Sequence, residues 1–262
     1  TCERFATRNN LQFSTDPNPA KSKTKCIFVC GRRRDLAKPA PLTLYGKELP
    51  WVAKATHLGH ELHESGTMNH DVTVKRAEYI SKSTEVRETF SFASPVEVLR
   101  SLKVFVADMY GSNLWQLSSD MAKQVYHSWD TNIKLVWGVP RDTRTYLVDR
   151  MLNCGISHMR TDIMARYIKF FKGLRESPSA EVSVLAHIVA RDVRTNTGNN
   201  LQHVQEMTGL DPWSCFGSQV KKVMNEKLAQ LPQQDEWRLP YLGKLLEKRG
   251  EKVEDTTELT EL

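Results

Sequence analysis

The sequence predicts an α+β fold that is mostly α. Three observations carry this. Residues 1–66 set short apolar runs between turn-forming residues, the pattern of a helix followed by short antiparallel strands. Further along, apolar residues recur at helical spacing in successive stripes. Ser94-Pro95-Val96-Glu97 spells a complete helix start: Ser94 as the cap, Pro95 at the first helical position and Glu97 closing a capping box. The 262 residues are 40% hydrophobic and 26% charged, which suits a buried core and excludes disorder over the whole length. No run approaches the 18 apolar residues of a membrane span.

Taken in order, residues 2–12 read as a helix entering a loop, which Ser14-Thr15-Asp16-Pro17-Asn18-Pro19 breaks. Cys26-Ile27-Phe28-Val29 reads as a short strand and Leu42-Thr43-Leu44-Tyr45 as another. Gly46-Lys47 makes a turn, Glu48 to Thr56 returns, and His57 to Leu62 forms a third strand. The helix opened by Ser94 places Val98, Leu102, Phe105, Val106 and Met109 on one face, and Gly111 ends it. Leu114, Leu117, Met121 and Val125 make a second stripe, and Met164, Ile168 and Phe171 a third. Ser177-Pro178 opens a fourth helix with Val182, Leu185, Ile188 and Val189 inward. Leu201, Val204 and Met207 give a fifth, and Leu242, Leu245 and Leu246 are spaced for another ahead of an acidic tail. The pattern changes character after about residue 66, from short strands to helices.

Charge is unevenly placed. The net charge is +6, and residues 1–50 alone hold 10 Lys/Arg against 4 Asp/Glu. That asymmetry points to a polyanionic partner near the N-terminus. The five cysteines, Cys2, Cys26, Cys30, Cys154 and Cys215, are odd in number and sparse, which favours a reducing, intracellular compartment, cytoplasm or nucleus, over a disulfide framework. The first residues lack the features of a signal peptide, and a start at Thr1 suggests a piece of something longer.

Several constellations carry possible chemistry. Lys21, Lys23, Lys25, Arg32, Arg33 and Arg34 flank the first strand, and such clusters neutralise phosphates or simply solvate a loop. His57, His60, His63 and His70 lie close together in sequence. In a strand, 57 and 63 would face away from 60, and no acidic partner stands at regular spacing, so a packed or solvated set is expected ahead of a zinc site. Asp108 is the one carboxylate of an aliphatic run, and no adjacent aspartate pair exists anywhere for two-metal phosphoryl transfer. It reads as a surface residue of the Ser94 helix. Trp115, Trp129 and Trp137 read as packing residues. No phosphate-binding loop, nucleophile elbow or H-E-x-x-H motif occurs.

Three segments together resemble one family. Asn18-Pro19-Ala20-Lys21-Ser22-Lys23-Thr24-Lys25 is similar to the Asn-Pro-x-Lys-Thr-Lys stretch of reverse transcriptases from LINE-type, non-LTR retrotransposons. Pro41 to Gly46 with Ala55-Thr56-His57-Leu58-Gly59-His60 resembles their hairpin ending in Tyr-Leu-Gly, with His57 in place of the Tyr. Leu102 to Leu117, including Tyr110-Gly111-Ser112-Asn113-Leu114-Trp115, resembles their helical region after the palm, and Asn199-Asn200-Leu201 fits their C-terminal part. The resemblance implies a partial palm over 1–66, a thumb-like helical region over 67–155 and a C-terminal helical region over 156–262. It implies that Lys23, with Lys25 as alternate, is the lysine that assists pyrophosphate departure, that Lys21 and Lys25 contact phosphates, and that His57-Leu58-Gly59 belongs to a primer-grip-like hairpin. A cation at Lys23 would neutralise charge growing on the leaving phosphate. The implied partner is RNA or an RNA–DNA hybrid, together with the palm and fingers that would precede this segment. Magnesium is implied for the intact enzyme, held by aspartates that this chain does not contain, so no cofactor and no polymerisation is expected of the chain alone. Such a fragment would also expose an unpaired sheet edge. Two other readings stay open: a non-enzymatic module that binds nucleic acid or protein, and a metal-dependent enzyme centred on His57, His60 and His63.

Overall fold

The structure is a computed structural model that describes residues 2–16, 18, 21–29, 39–40, 42–144 and 156–229. Arg32, Arg33, Arg34, Cys30, Cys154 and the leucines at 242, 245 and 246 lie outside the described residues. Among the described residues the chain forms eight α-helices and two small antiparallel sheets, which is the expected mostly-α class. It divides into two compact units, Thr1–Val74 and Lys75–Leu262.

The first unit opens with α1 (Cys2–Arg8), which buries Ala6. Asn10 adopts φ 52°, and Leu11 N–H donates to Ala6 O at 2.8 Å, so the helix closes earlier than the expected residue 12. Asparagine tolerates this left-handed closing position better than most residues. Two hairpins follow. In the first, β1 (Thr43–Leu44) pairs with β2 (Lys47–Glu48) around a Tyr45-Gly46 turn. In the second, β3 (Lys54–His57) pairs with β4 (His60–His63) around Leu58-Gly59. All four turn residues have positive φ, the signature of the turn that matches strand twist.

These hairpins correct the strand boundaries. The return strand from Glu48 ends at once because Pro50 cannot donate to a ladder. His57 to Leu62 is not one strand, since Leu58-Gly59 reverses the chain inside it. Cys26 to Val29 makes only a single bridge, Cys26 with Trp51, and Phe28 sets its ring edge-on to Trp51 with centroids 6.3 Å apart.

Helix α2 (Asn69–Thr89) begins in the first unit and continues into the second. The second unit then contains α3 (Pro95–Phe105), a 3-10 turn (Ser112–Leu114), α4 (Asp120–Trp137), α5 (Met159–Arg175), α6 (Ala180–Arg191), α7 (Asn196–Thr208) and α8 (Gly217–Ala229). The capping box at Ser94 and Glu97 forms as its residues specify. That helix stops at Phe105, however, because Val106 and Ala107 N–H both turn back to Leu102 O. Asp108 therefore lies beyond the helix, in the connection, and pairs with Arg166 at 2.7 Å. The Leu114 and Leu117 positions precede α4, which starts after its cap at Ser119. Trp115 and Trp129 are fully buried and Trp137 is half-buried, so these rings pack as expected. Met164, Ile168 and Phe171 line the core side of α5.

One helix is turned round. Leu185 is 59% and Ile188 62% exposed, while Ala186 and Ala190 are buried. The apolar periodicity was expected to mark the inward face of α6, but its small residues are what seat it. Alanines let α6 approach α5 and α7 closely, and Ser183 Oγ donates to Arg175 O at 2.7 Å from that same side.

Candidate nucleic-acid interface

The basic segment is built on a folded loop. Ser22 is buried, and its hydroxyl donates to Thr24 O at 2.6 Å and accepts from Asp16 N–H at 3.5 Å. Asn18 N–H donates to Asp16 Oδ1 at 2.8 Å, Lys21 and Ser22 N–H both reach Asn18 O, and Thr24 N–H reaches Ser14 O. This satisfies the polar backbone that a short loop would otherwise leave to solvent. Lys21, Lys23 and Lys25 are exposed around that anchor, whereas Ser22 is buried and Thr24 half-buried. Among the described residues no carboxylate pairs with any of the three. Three unneutralised ammonium groups thus sit within about 14 Å of backbone.

The segment continues into Cys26, whose N–H donates to Pro50 O at 3.0 Å and whose carbonyl accepts from Val52 N–H at 2.9 Å. It is therefore tied to the segment leading into the second hairpin. His57 and Leu58 at the hairpin end are exposed, Leu58 by 74%. Leu58 holds φ 48°, a conformation that costs a leucine about 1 kcal/mol. The tip is no more than about 25 Å along the chain from the Cys26–Trp51 bridge, or about seven base steps of a duplex. The structure gives no contact between the lysines and His57-Leu58-Gly59 themselves. The arginines at 32, 33 and 34 fall outside the described residues.

The histidines do not converge. His57 faces His60 across the turn, while His63 stands at the far end of the ladder opposite Lys54. His60 Nδ1 lies 3.6 Å from Asp71 Oδ2, and Asp71 Oδ1 accepts from Glu61 N–H at 3.0 Å. His70 Nε2 lies 3.5 Å from Glu61 Oε2, and the His63 and His70 rings are 5.8 Å apart. Acidic partners exist after all, supplied by the hairpin and by the first turn of α2 rather than by regular spacing. Among the described residues no three His, Cys, Asp or Glu side chains are grouped to hold a metal ion.

In the second unit the sequence hinted at Asn199-Asn200-Leu201 without a role. Asn200 is fully buried; its Oδ1 accepts from Leu117 N–H at 2.8 Å and its Nδ2 donates to Trp115 O at 2.7 Å. Asn199 accepts from Ser118 Oγ at 2.7 Å. These two amides latch the 115–118 turn onto α7. In sequence Asn200 merely precedes Leu201, the first residue of an apolar stripe, and nothing local marks its role.

Among the described residues no helix is long and apolar enough to cross a membrane. Comparison with protein families, curated proteins and solved structures finds no match.

Proposed function

We propose that this chain is the C-terminal part of a LINE-type, non-LTR retrotransposon reverse transcriptase, holding RNA or an RNA–DNA hybrid rather than polymerising on its own. The observation that carries the reading is the trio Lys21, Lys23 and Lys25, exposed around a buried Ser22 and, among the described residues, unpaired by carboxylates. Three cations in one short loop neutralise neighbouring phosphates and release their counterions. The order of the motifs adds to this: the lysine segment, then a hairpin with Leu58-Gly59 at its tip, then helices. In this reading Lys23, or Lys25, is the leaving-group lysine of the intact enzyme, and the aspartates that hold its magnesium come from the palm before Thr1.

Binding to single-stranded RNA and to an RNA–DNA hybrid, measured across a salt series, tests it. Replacing Lys21, Lys23 and Lys25 together by Ala is expected to lower the slope of log affinity against log salt by about 2 to 3. An unchanged slope would sink the reading. The chain with magnesium is expected to leave an RNA-templated primer unextended, and codons before Thr1 are expected to encode a strand with paired aspartates.

A second reading, a non-enzymatic protein-interaction module, is favoured by the outward aliphatic face of α6. Salt-insensitive RNA binding alongside protein association would select it.

A further inference from the structure

Helix α6 reverses the usual amphipathic order. Its buried side carries Ser183, Ala186 and Ala190, and its solvent side carries Val184, Leu185 and Ile188, exposed by 57%, 59% and 62%. At 100° per residue the three aliphatics fall within about 100° of one another, opposite the alanines. Glu181 stands one turn before them and Arg191 one turn after them. Both are exposed, and among the described residues neither makes an ion pair. Glu181 accepts locally, from the hydroxyl of its own cap, Ser179, at 2.7 Å and from its own backbone. Asp192 and Arg194 satisfy each other at 2.8 Å, which leaves Arg191 as the open charge at that end.

We propose that α6 is the contact helix of a symmetric dimer, in which two copies pack antiparallel and Glu181 of each chain faces Arg191 of the other. The argument is one of matched spacing. Glu181 and Arg191 lie five residues, about 7.5 Å, on either side of the level of residue 186. Val184 and Ile188 lie two residues, about 3 Å, on either side of that same level. One two-fold axis there pairs acid with base at both ends, Val184 with Ile188 twice, and Leu185 beside its own copy. A two-fold interface must be self-complementary in this way, whereas a face built for an unrelated partner has no reason to share a single centre for charge and apolar pairs. Burying the aliphatics removes apolar surface from water, and the two end pairs fix direction and register.

Sedimentation equilibrium of the full chain from about 1 to 100 µM tests this, the range suited to an interface at the small end of the size scale. A reversible monomer–dimer equilibrium is expected. Leu185→Glu and Ile188→Glu are expected to give monomer with unchanged circular dichroism, since both side chains face solvent in the monomer. Glu181→Arg and Arg191→Glu should each weaken self-association about tenfold by setting like charges opposite one another. Mixing those two variants in equal amounts should restore it, because in the mixed dimer both end pairs become attractive again. A chain that stays monomeric throughout overturns the proposal. So does a dimer indifferent to Leu185→Glu, a mixture that fails to recover, or a monomer that floats with phosphatidylcholine vesicles through the same face.

Discussion

Asn200 shows how much a single side chain can settle. It is fully buried, yet each half of its amide has a backbone partner 83 and 85 residues away. Truncating it leaves the Leu117 N–H and the Trp115 carbonyl buried without those bonds. Asn200→Ala is therefore expected to destabilise the second unit by about 2 to 4 kcal/mol, read as a lowered urea midpoint with unchanged slope. The contrast with Ser94 explains what a sequence can disclose. The Ser94 capping box is complete within four consecutive residues, and it forms as read. Asn200 acts through partners that only the tertiary fold brings near. Asp71 is of the same kind: it is fully buried and accepts from a strand backbone ten residues earlier. In the candidate interface the lysines were legible because charge is local, and Ser22, which pins their loop, was not.

Elements differ in the same way. Helices α5 and α7 were legible from apolar residues recurring on the face they bury, whereas on α3 Val98 and Leu102 are buried as expected but Phe105 is 67% exposed and Val106 and Met109 lie beyond the helix. Helix α2 was not legible, because its buried side includes Ser83 and no continuous apolar stripe. Helix α6 was placed correctly and oriented wrongly, since periodicity marks the apolar side and packing chose the alanines. Close approach also governs α8. A Cβ on Gly217 would lie 2.7 Å from the Ala165 carbonyl oxygen of α5, a backbone atom that cannot rotate away. Gly217→Ala should therefore push α8 from α5 and cost about 1 to 3 kcal/mol in thermal unfolding. Gly173→Ala, in α5 with open space around the new methyl, should instead stabilise by about 0.5 to 1 kcal/mol. If both changes cost the same, the close approach is not what holds Gly217.

At the scale of the whole molecule, the mostly-α class was legible, while the expected border near residue 155 has helices of one compact unit on both sides of it. Those helices are joined by a half-buried ion cluster. Asp162 on α5 pairs with Lys103 on α3 and with Lys221 on α8 at 2.8 Å, and accepts from Ser157 Oγ at 2.8 Å. Burial works to raise the Asp162 carboxyl, but Lys103, Lys221 and Ser157 together outweigh it and hold it below the ordinary carboxylate range. For the Lys103 ammonium, burial prevails and lowers it despite the pair. Because the Asp162 value is depressed on folding, its contribution is fully present above the unfolded value near 4 and is lost as the pH falls through the folded one. The urea midpoint of the second unit should fall on acidification below about pH 4. Asp162→Asn should be less stable at neutral pH and should flatten that part of the profile; an unaltered profile would mean the cluster does not carry the acid response.

Each of the two sheets is only two strands wide among the described residues. Each strand is thus bonded to its neighbour along one side; the outer side of β4 is already met where Glu61 N–H donates to Asp71 Oδ1, while an open outer side can take a further strand. In an expression experiment the N-terminal unit can be tested as one half of a complementation pair. A separately produced chain that supplies neighbouring strands can add along the sides that carry no such bond, and in its absence those open sides will seek each other.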